Sequence, residues 1–373
     1  MKTFINTCIH FLKKETVLCI AGFLAFISAF FVHPSAAYMG YIDFRVLSLL
    51  FSLMLVVAGF QSIGLFHCLG SALLTKVHTT RQLILVLSLL CFFSSMFITN
   101  DVALLTFVPF AIMILTMAGQ QKLLISTIVL QTIGANLGSM FTPVGNPQNL
   151  YLASAFSLST GTFLIRMFPL TALSLVLLVA AACMLPSTPV DIASQTAAER
   201  PEPKKLAVYL VLFMTCLGCV SHLIPYPVML VLVLITLLFI NRTLFQKADY
   251  FLLLTFVFFF LFIGNVQNIP AVSDLLHKLI RGRELGAGIL LSQCISNVPA
   301  AILLSGFTDQ VISLLYGVNI GGLGTLIASL ASLISYRFYV GTENAHTGRY
   351  MKVFTLYNVI FLIILALVAW KIL

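Results

Sequence analysis

Charge is what this 373-residue sequence has least of: Asp, Glu, Lys and Arg together make up 8% of it. A water-soluble domain uses about a quarter. The scarcity points to lipid as the main solvent and excludes a cytosolic enzyme, a nucleic-acid-binding module and a secreted disulfide scaffold. Acids are scarcer than bases, 11 against 20, for a net charge of +9. The bases stand singly between apolar runs and form no patch, so they read as topology signals, and no nucleic-acid partner is expected. The eight cysteines sit mostly inside apolar segments, and only Cys216 and Cys219 have C-x-x-C spacing. Within an apolar helix that pair reads as small-residue packing and implies neither a disulfide nor a cofactor. No G-x-x-x-x-G-K-[ST], H-E-x-x-H or G-x-S-x-G occurs, so ATP hydrolysis by this chain and the common hydrolase chemistries lack support. The chain is read as no enzyme.

Hydrophobic residues, in contrast, make up 60% of the chain. A bilayer core takes about 20 apolar residues per helix. The runs 16–33, 44–63, 122–156, 160–185, 206–222, 226–240, 250–266, 309–340 and 350–371 predict an all-α membrane protein with about nine spanning helices. Two more apolar stretches, 82–118 and 284–308, each carry a polar knot, Thr99-Asn100-Asp101 and Ser296-Asn297. Each reads as a re-entrant hairpin, because irregular backbone at membrane depth survives only where protein or a water-filled cavity surrounds it. A pair of short spanning helices is the alternative for the first stretch. The first apolar run has a signal peptide as its alternative, with Lys13 and Lys14 before it and Ser35-Ala36-Ala37 after it.

The chain also repeats itself. Gly134, Asn136, Gly138 and Thr142 recur 183 residues later as Gly317, Asn319, Gly321 and Thr325. Each copy follows a hairpin with Asn at its tip, Asn100 or Asn297, and Gln61-Ser62 ahead of the first hairpin echoes Gln267-Asn268 ahead of the second. Three ordered matches predict a two-fold internal repeat. The first repeat is placed at 1–185, with hairpin 82–118 and broken helix 122–156. Residues 186–205, with four prolines, form the linker, and 206–225 a linking helix. The second repeat covers 226–373, with hairpin 284–308 and broken helix 309–340. An odd number of crossings separates the two starts, which inverts the second repeat. With the N-terminus cytoplasmic, 14 of the 20 bases fall inside and six outside, the bias that topology sorting produces. The expectation is a multi-pass protein of the cell inner (cytoplasmic) membrane, its hairpin tips meeting near the midplane where inverted-repeat transporters bind their cargo.

Thr142-Pro143-Val144-Gly145-Asn146-Pro147 cannot be regular helix, since two prolines remove amide donors and clash with the preceding turn. A broken helix bares carbonyls on one side for a cation and amides on the other for an anion. Thr142, Asn146, Gln148 and Asn149 add neutral donors and acceptors. In the second copy Gly321, Gly322 and Gly324 loosen the helix without proline, and Ala328, Ser329 and Ser332 replace the harder polar residues. Asn100 and Asn297 have the look of N-caps, yet a capped helix start at the bilayer centre, made twice, points to a site. Asp101 is the one acid placed deep in the membrane, where a carboxylate carries a proton, binds a cation or stays protonated as a cap.

Thr99-Asn100-Asp101-Val102-Ala103, the stretch from Gly138 to Asn149, and Ser296-Asn297-Val298-Pro299-Ala300 together resemble the ion transporter superfamily. That group includes citrate-transporter-like permeases, divalent-anion:sodium symporters, arsenite permeases and NhaD-type sodium/proton antiporters. The resemblance covers nearly the whole chain and implies a homodimer with a scaffold and a transport domain, working by an elevator-like displacement. It makes Asn100 and Asn297 tip residues that contact both sodium and substrate, Thr142, Gly145 and Asn146 the loop completing a first cation site, and Thr325 and Ala328 part of a second. The family's tip threonine is replaced by Asp101 and Val298, and the Asn-Asp pair is nearer the arsenite-permease and antiporter branches.

These readings combine into an inverted-repeat secondary transporter of a small anion, a carboxylate or an inorganic oxyanion, coupled to sodium or protons. Substrate contacts are expected from Asn100, Asp101, Asn146, Asn149, Ser296, Asn297 and Val298. Ion coupling is expected at Thr99, Asn100, Asp101, Thr142, Gly145, Asn146, Asn297, Thr325 and Ala328, with sodium the one ion implied and no cofactor. The partners expected are the anion, the lipid bilayer and a second copy. A sodium/proton antiporter using Asp101 and a non-transporting membrane assembly subunit are the rivals.

Overall fold

Helix starts in this chain are set by side chains and prolines that answer the orphan amides of a first turn. Described by a computed structural model are residues 15–74, 77–190, 201–343 and 345–373. The first half runs through α1 Thr16–Phe31, α2 Phe44–Ser62, α3 Leu65–Leu74, α4 Thr80–Ser94, α5 Asn100–Met117, α6 Leu124–Gly138, α7 Pro147–Ala155 and α8 Thr160–Cys183. The second runs through α9 Pro203–Val220, α10 Tyr226–Ile240, α11 Tyr250–Gln267, α12 Pro270–Ile280, α13 Glu284–Ile295, α14 Asn297–Ser305, α15 Val311–Gly321, α16 Leu330–Val340 and α17 Thr347–Ile372. The Asp43 carboxylate accepts from the Val46 amide at 2.9 Å to start α2, and Asp249 accepts from Leu252 at 2.9 Å to start α11. Proline opens α7, α9 and α12, where its missing amide costs nothing.

Among the described residues, seven stretches are long and apolar enough to cross a membrane: α2, α5, Gln121–Phe141 around α6, α8, α9, α11 and α17. The chain is an all-α multi-pass membrane protein. Helices α1 and α10, at 16 and 15 residues, are shorter than that measure. Both predicted broken helices are divided, at 139–146 and 322–329, into pieces that flank irregular chain. The two predicted hairpins differ in build. Arms α13 and α14 have 12 and 9 residues, whereas α5 has 18 and is long enough to cross on length alone. Helix α9 starts at Pro203, inside the stretch predicted as linker. Residues 191–200 of that linker lie outside the described residues, as do Lys2, Lys13, Lys14, Lys76 and Arg200 of the charge count.

One packing device recurs in both halves. In α6 a Cβ on Gly134 would lie 2.9 Å from the Ser88 carbonyl oxygen, and one on Gly138 would lie 1.9 Å from that of Phe92, both in α4. In α15 a Cβ on Gly317 would lie 2.6 Å from the Leu285 carbonyl oxygen, and one on Gly321 would lie 2.7 Å from Ser292 Oγ, both in α13. Small residues four apart let two backbones approach closely in the absence of a hydrophobic drive between helices. Each hairpin's first arm is thereby seated on the first piece of a broken helix, which fixes the tip beside the break. Elsewhere α1 lies along α11 and α2 lies against α9 and α10, with Asn265 of α11 donating to Ser28 Oγ at 2.9 Å and to the Tyr38 hydroxyl at 2.8 Å. The buried carboxylate of Glu284, which sequence reasoning passed over, accepts from Gly282 N at 3.0 Å and Thr308 Oγ1 at 3.1 Å, clasping the two ends of the second hairpin.

Candidate functional site

Each hairpin turns on one residue held at positive φ: Thr99 at φ 47, ψ 148 and Ser296 at φ 75, ψ 155. Neither is glycine, and such backbone costs about 1–3 kcal/mol unless the surroundings impose it. The next residue in each case, Asn100 or Asn297, begins a helix and is buried. The breaks match as well. Asn146 has φ −145, ψ 145 and Ser329, at the corresponding repeat position, has φ −143, ψ 136. Each extended residue hands the chain to the second piece of its broken helix.

Buried amides knit tips and breaks together. Asn100 Nδ2 donates to Asn136 Oδ1 at 2.9 Å and reaches Ser329 Oγ at 3.5 Å, and Ser329 Oγ donates to the same Asn136 oxygen at 3.0 Å. Asn136 Nδ2 in turn reaches Ser332 Oγ at 3.5 Å. Its repeat counterpart Asn319 donates to Asn149 Oδ1 at 2.7 Å. The main-chain amide of Asn297 donates to the Ala328 carbonyl at 3.0 Å, and Ser296 Oγ reaches that carbonyl at 3.4 Å. Asn146 Nδ2 donates to Ser139 Oγ at 2.6 Å. The Thr142 hydroxyl donates to the Met96 carbonyl in the first tip and accepts from Gly145 N at 3.1 Å. Thr325 is held at both its amide, 2.9 Å from Gln293 Oε1, and its hydroxyl, 3.2 Å from the Gln293 carbonyl.

A cavity of about 250 Å³ opens among these elements, lined by Asn100 and Asp101 of the first tip, Ser296, Asn297 and Val298 of the second, Gln148 of α7, and Ser329 and Arg337 of the second break and α16. Glu15 and Asp249, at the starts of α1 and α11, line it too. Five of the expected substrate contacts are thus brought together, whereas Asn146 and Asn149 are not among its lining residues and serve the hydrogen bonds that brace the break. Asn136, Asn319, Gln293, Asp249 and Arg337 belong to the site or its supports and were not foreseen there. Asn136 and Asn319 were visible as repeat positions, but nothing local says that Asn136 holds the first tip and Asn319 the helix after the first break. Asp101 Oδ1, Asn146 Oδ1, Asn319 Oδ1 and Gln148 Nε2 are buried and make no hydrogen bond within the protein. Free amide and carboxylate oxygens suit a hard cation, and an amide N–H suits an anion.

The sequence profile of the family described as citrate transporter matches residues 8–308. An uncharacterized transporter of Methanocaldococcus jannaschii is 31% identical over 332 residues, 87% of this chain and 88% of that protein. The inner membrane protein YbiR of Escherichia coli is 32% identical over 343 residues, 89% of this chain and 88% of that protein. The silicon efflux transporter LSI3 of Oryza sativa subsp. japonica is 32% identical over a shorter stretch, 34% of this chain and 26% of that protein. A helical, membrane-embedded chain with a cavity between two asparagine tips agrees with those matches, and the chain belongs to the citrate transporter family, a transporter of small molecules and not an enzyme.

Proposed function

We propose that this transporter moves a small anion, a carboxylate or an inorganic oxyanion, by secondary active transport coupled to sodium or protons, with the cargo between the Asn100 and Asn297 tips. The observation that carries the reading is the cavity itself, which brings both tip asparagines and Gln148 to one small space beside two helix breaks. Neutral amides and helix N-termini hold a desolvated anion without fixing its charge state. The unpartnered oxygens of Asn146 and Asn319, on the two broken helices, are the groups we assign to the coupling cation, with Thr142, Gly145, Thr325 and Ala328 shaping the loops around them. The inverted repeat is supported by the matched backbone at Thr99 and Ser296 and at Asn146 and Ser329. We extend it to an elevator-like displacement of hairpins and broken helices, in a homodimer, with the N-terminus cytoplasmic.

The likeness to LSI3, a silicon efflux transporter, adds inorganic oxyacids to the cargo classes worth testing and leaves the direction of transport to experiment. Purified protein in vesicles should move at least one of citrate, malate, sulfate, phosphate, arsenite or silicate when a sodium or pH gradient is imposed. Asn100→Ala and Asn297→Ala should each lower that flux at least tenfold. Undiminished flux in both variants would remove the cargo from the tips.

A sodium/proton antiporter is the second reading, favoured by the two carboxylates, Asp101 and Asp249, that line the same cavity. It predicts proton movement driven by sodium alone, lost in Asp101→Asn and indifferent to every anion tried.

A further inference from the structure

We infer that Arg337 is the anion-capturing residue of this cavity, the group that selects an oxyanion from solution before the two asparagine tips enclose it. The inference rests on the anion reading above and adds to it a residue that sequence reasoning counted only as a charge at the membrane surface. Helix α16 begins at the second break, and Ser329, Leu333 and Arg337, spaced four apart, put one stripe of that helix along the cavity. Eight residues of helix rise about 12 Å, so Arg337 stands near the mouth while Ser329 stands at the tips. Side chains on a helix lean toward its N-terminus, which here is the break, so the guanidinium is directed inward along the stripe and not away from it.

Its electrostatic setting makes the case. Arg337 is the one basic residue among the described residues that line the cavity, against three acids, Glu15, Asp101 and Asp249. No ion pair joins it to Asp101 or Asp249; the only ion pair among the described residues is Lys205 with Glu202. One oxygen of Asp249 already serves the start of α11 by accepting from Leu252 N at 2.9 Å. A guanidinium offers a planar fork of donors matched to carboxylate and oxyanion geometry. An anion captured there still faces the carboxylates of Asp101 and Asp249 on its way to the tips. It advances when a proton or cation offsets them, which ties entry of the cargo to entry of the coupling ion.

The test uses the protein in vesicles with citrate, malate, phosphate and sulfate as probes, presented in turn from each side. For any probe that the unaltered protein moves, Arg337→Gln should raise the half-saturation concentration about tenfold from one side only and leave the maximal rate within twofold. Arg337→Lys should recover only part of the affinity, since an ammonium keeps the charge but lacks the fork. Added salt should weaken capture in the unaltered protein and have less effect in Arg337→Gln. Arg337 is exposed, so these variants should unfold at the temperature of the unaltered protein, which separates capture from a structural role. An unchanged half-saturation in Arg337→Gln, with flux intact in the unaltered protein, would overturn the inference alone. Absence of flux for every anion in the unaltered protein would instead overturn the reading beneath it.

Discussion

Two residues hold the hairpin tips in a backbone state that favours glycine. Thr99 is the more costly of the pair, because a β-branched side chain at φ 47 crowds its own carbonyl more than serine does. No side-chain cap bond accompanies it. Thr99→Gly should therefore stabilise the protein by about 1 kcal/mol, read as a higher unfolding temperature in detergent. Because the same relief loosens the tip, its transport rate should fall even as its stability rises. The opposite pairing, a lower unfolding temperature with normal flux, would mean the surroundings impose no strain there. At this scale Asp101 also changes its standing. The sequence isolates it as a lone intramembrane acid, while the structure sets it among Asp249, Glu15 and Arg337, so its role is shared with charges brought from three other helices.

Among the elements, the glycine contacts between α4 and α6 and between α13 and α15 decide where the tips lie. Gly138→Ala would place a methyl 1.9 Å from the Phe92 carbonyl and force the two helices apart, at a cost of about 3 kcal/mol or more. Gly161→Ala, where a Cβ meets nothing within 4 Å, is the matched control and should leave the unfolding temperature unchanged. Equal effects from the two substitutions would show that close approach does not position the hairpin. Most helix bounds were legible, because apolar runs, capping residues such as Asp43 and Asp249, and the prolines around Val144 act locally. The two tips were legible as polar interruptions of apolar runs, the first break by its prolines and the second by its glycines. What stayed hidden was long-range. Gln293 looks like one polar residue in an apolar arm, yet its amide nitrogen reaches the carbonyls of Gly321 at 2.8 Å and Leu323 at 3.0 Å. Nothing in its neighbourhood of sequence announces that it holds the second break. Arg337 was read only as a charge, because the helical spacing that links it to Ser329 and Leu333 does not say that this stripe of α16 faces the tips.

Over the whole molecule, two glutamines at equivalent helix ends grip the hairpins unequally. Gln61, ending α2, donates to Thr106 Oγ1 at 3.2 Å, six residues beyond the first tip asparagine. Gln267, ending α11, donates to the Gly306 carbonyl at 2.8 Å, nine residues beyond the second. On the proposed inverted repeat, the halves exchange conformations as the transporter reverses its facing, so the two grips should trade registers. Gln267 should then sit opposite Leu303 and Gln61 opposite Pro109. Cysteine pairs at 267 with 306 and at 267 with 303 should crosslink in alternation as the driving gradient is reversed; crosslinking that ignores the gradient would rule the exchange out. The three-residue offset amounts to about 4.5 Å of helix. On that proposal the mismatch works as a vernier, and the crosslinking pairs read the length of the stroke from it.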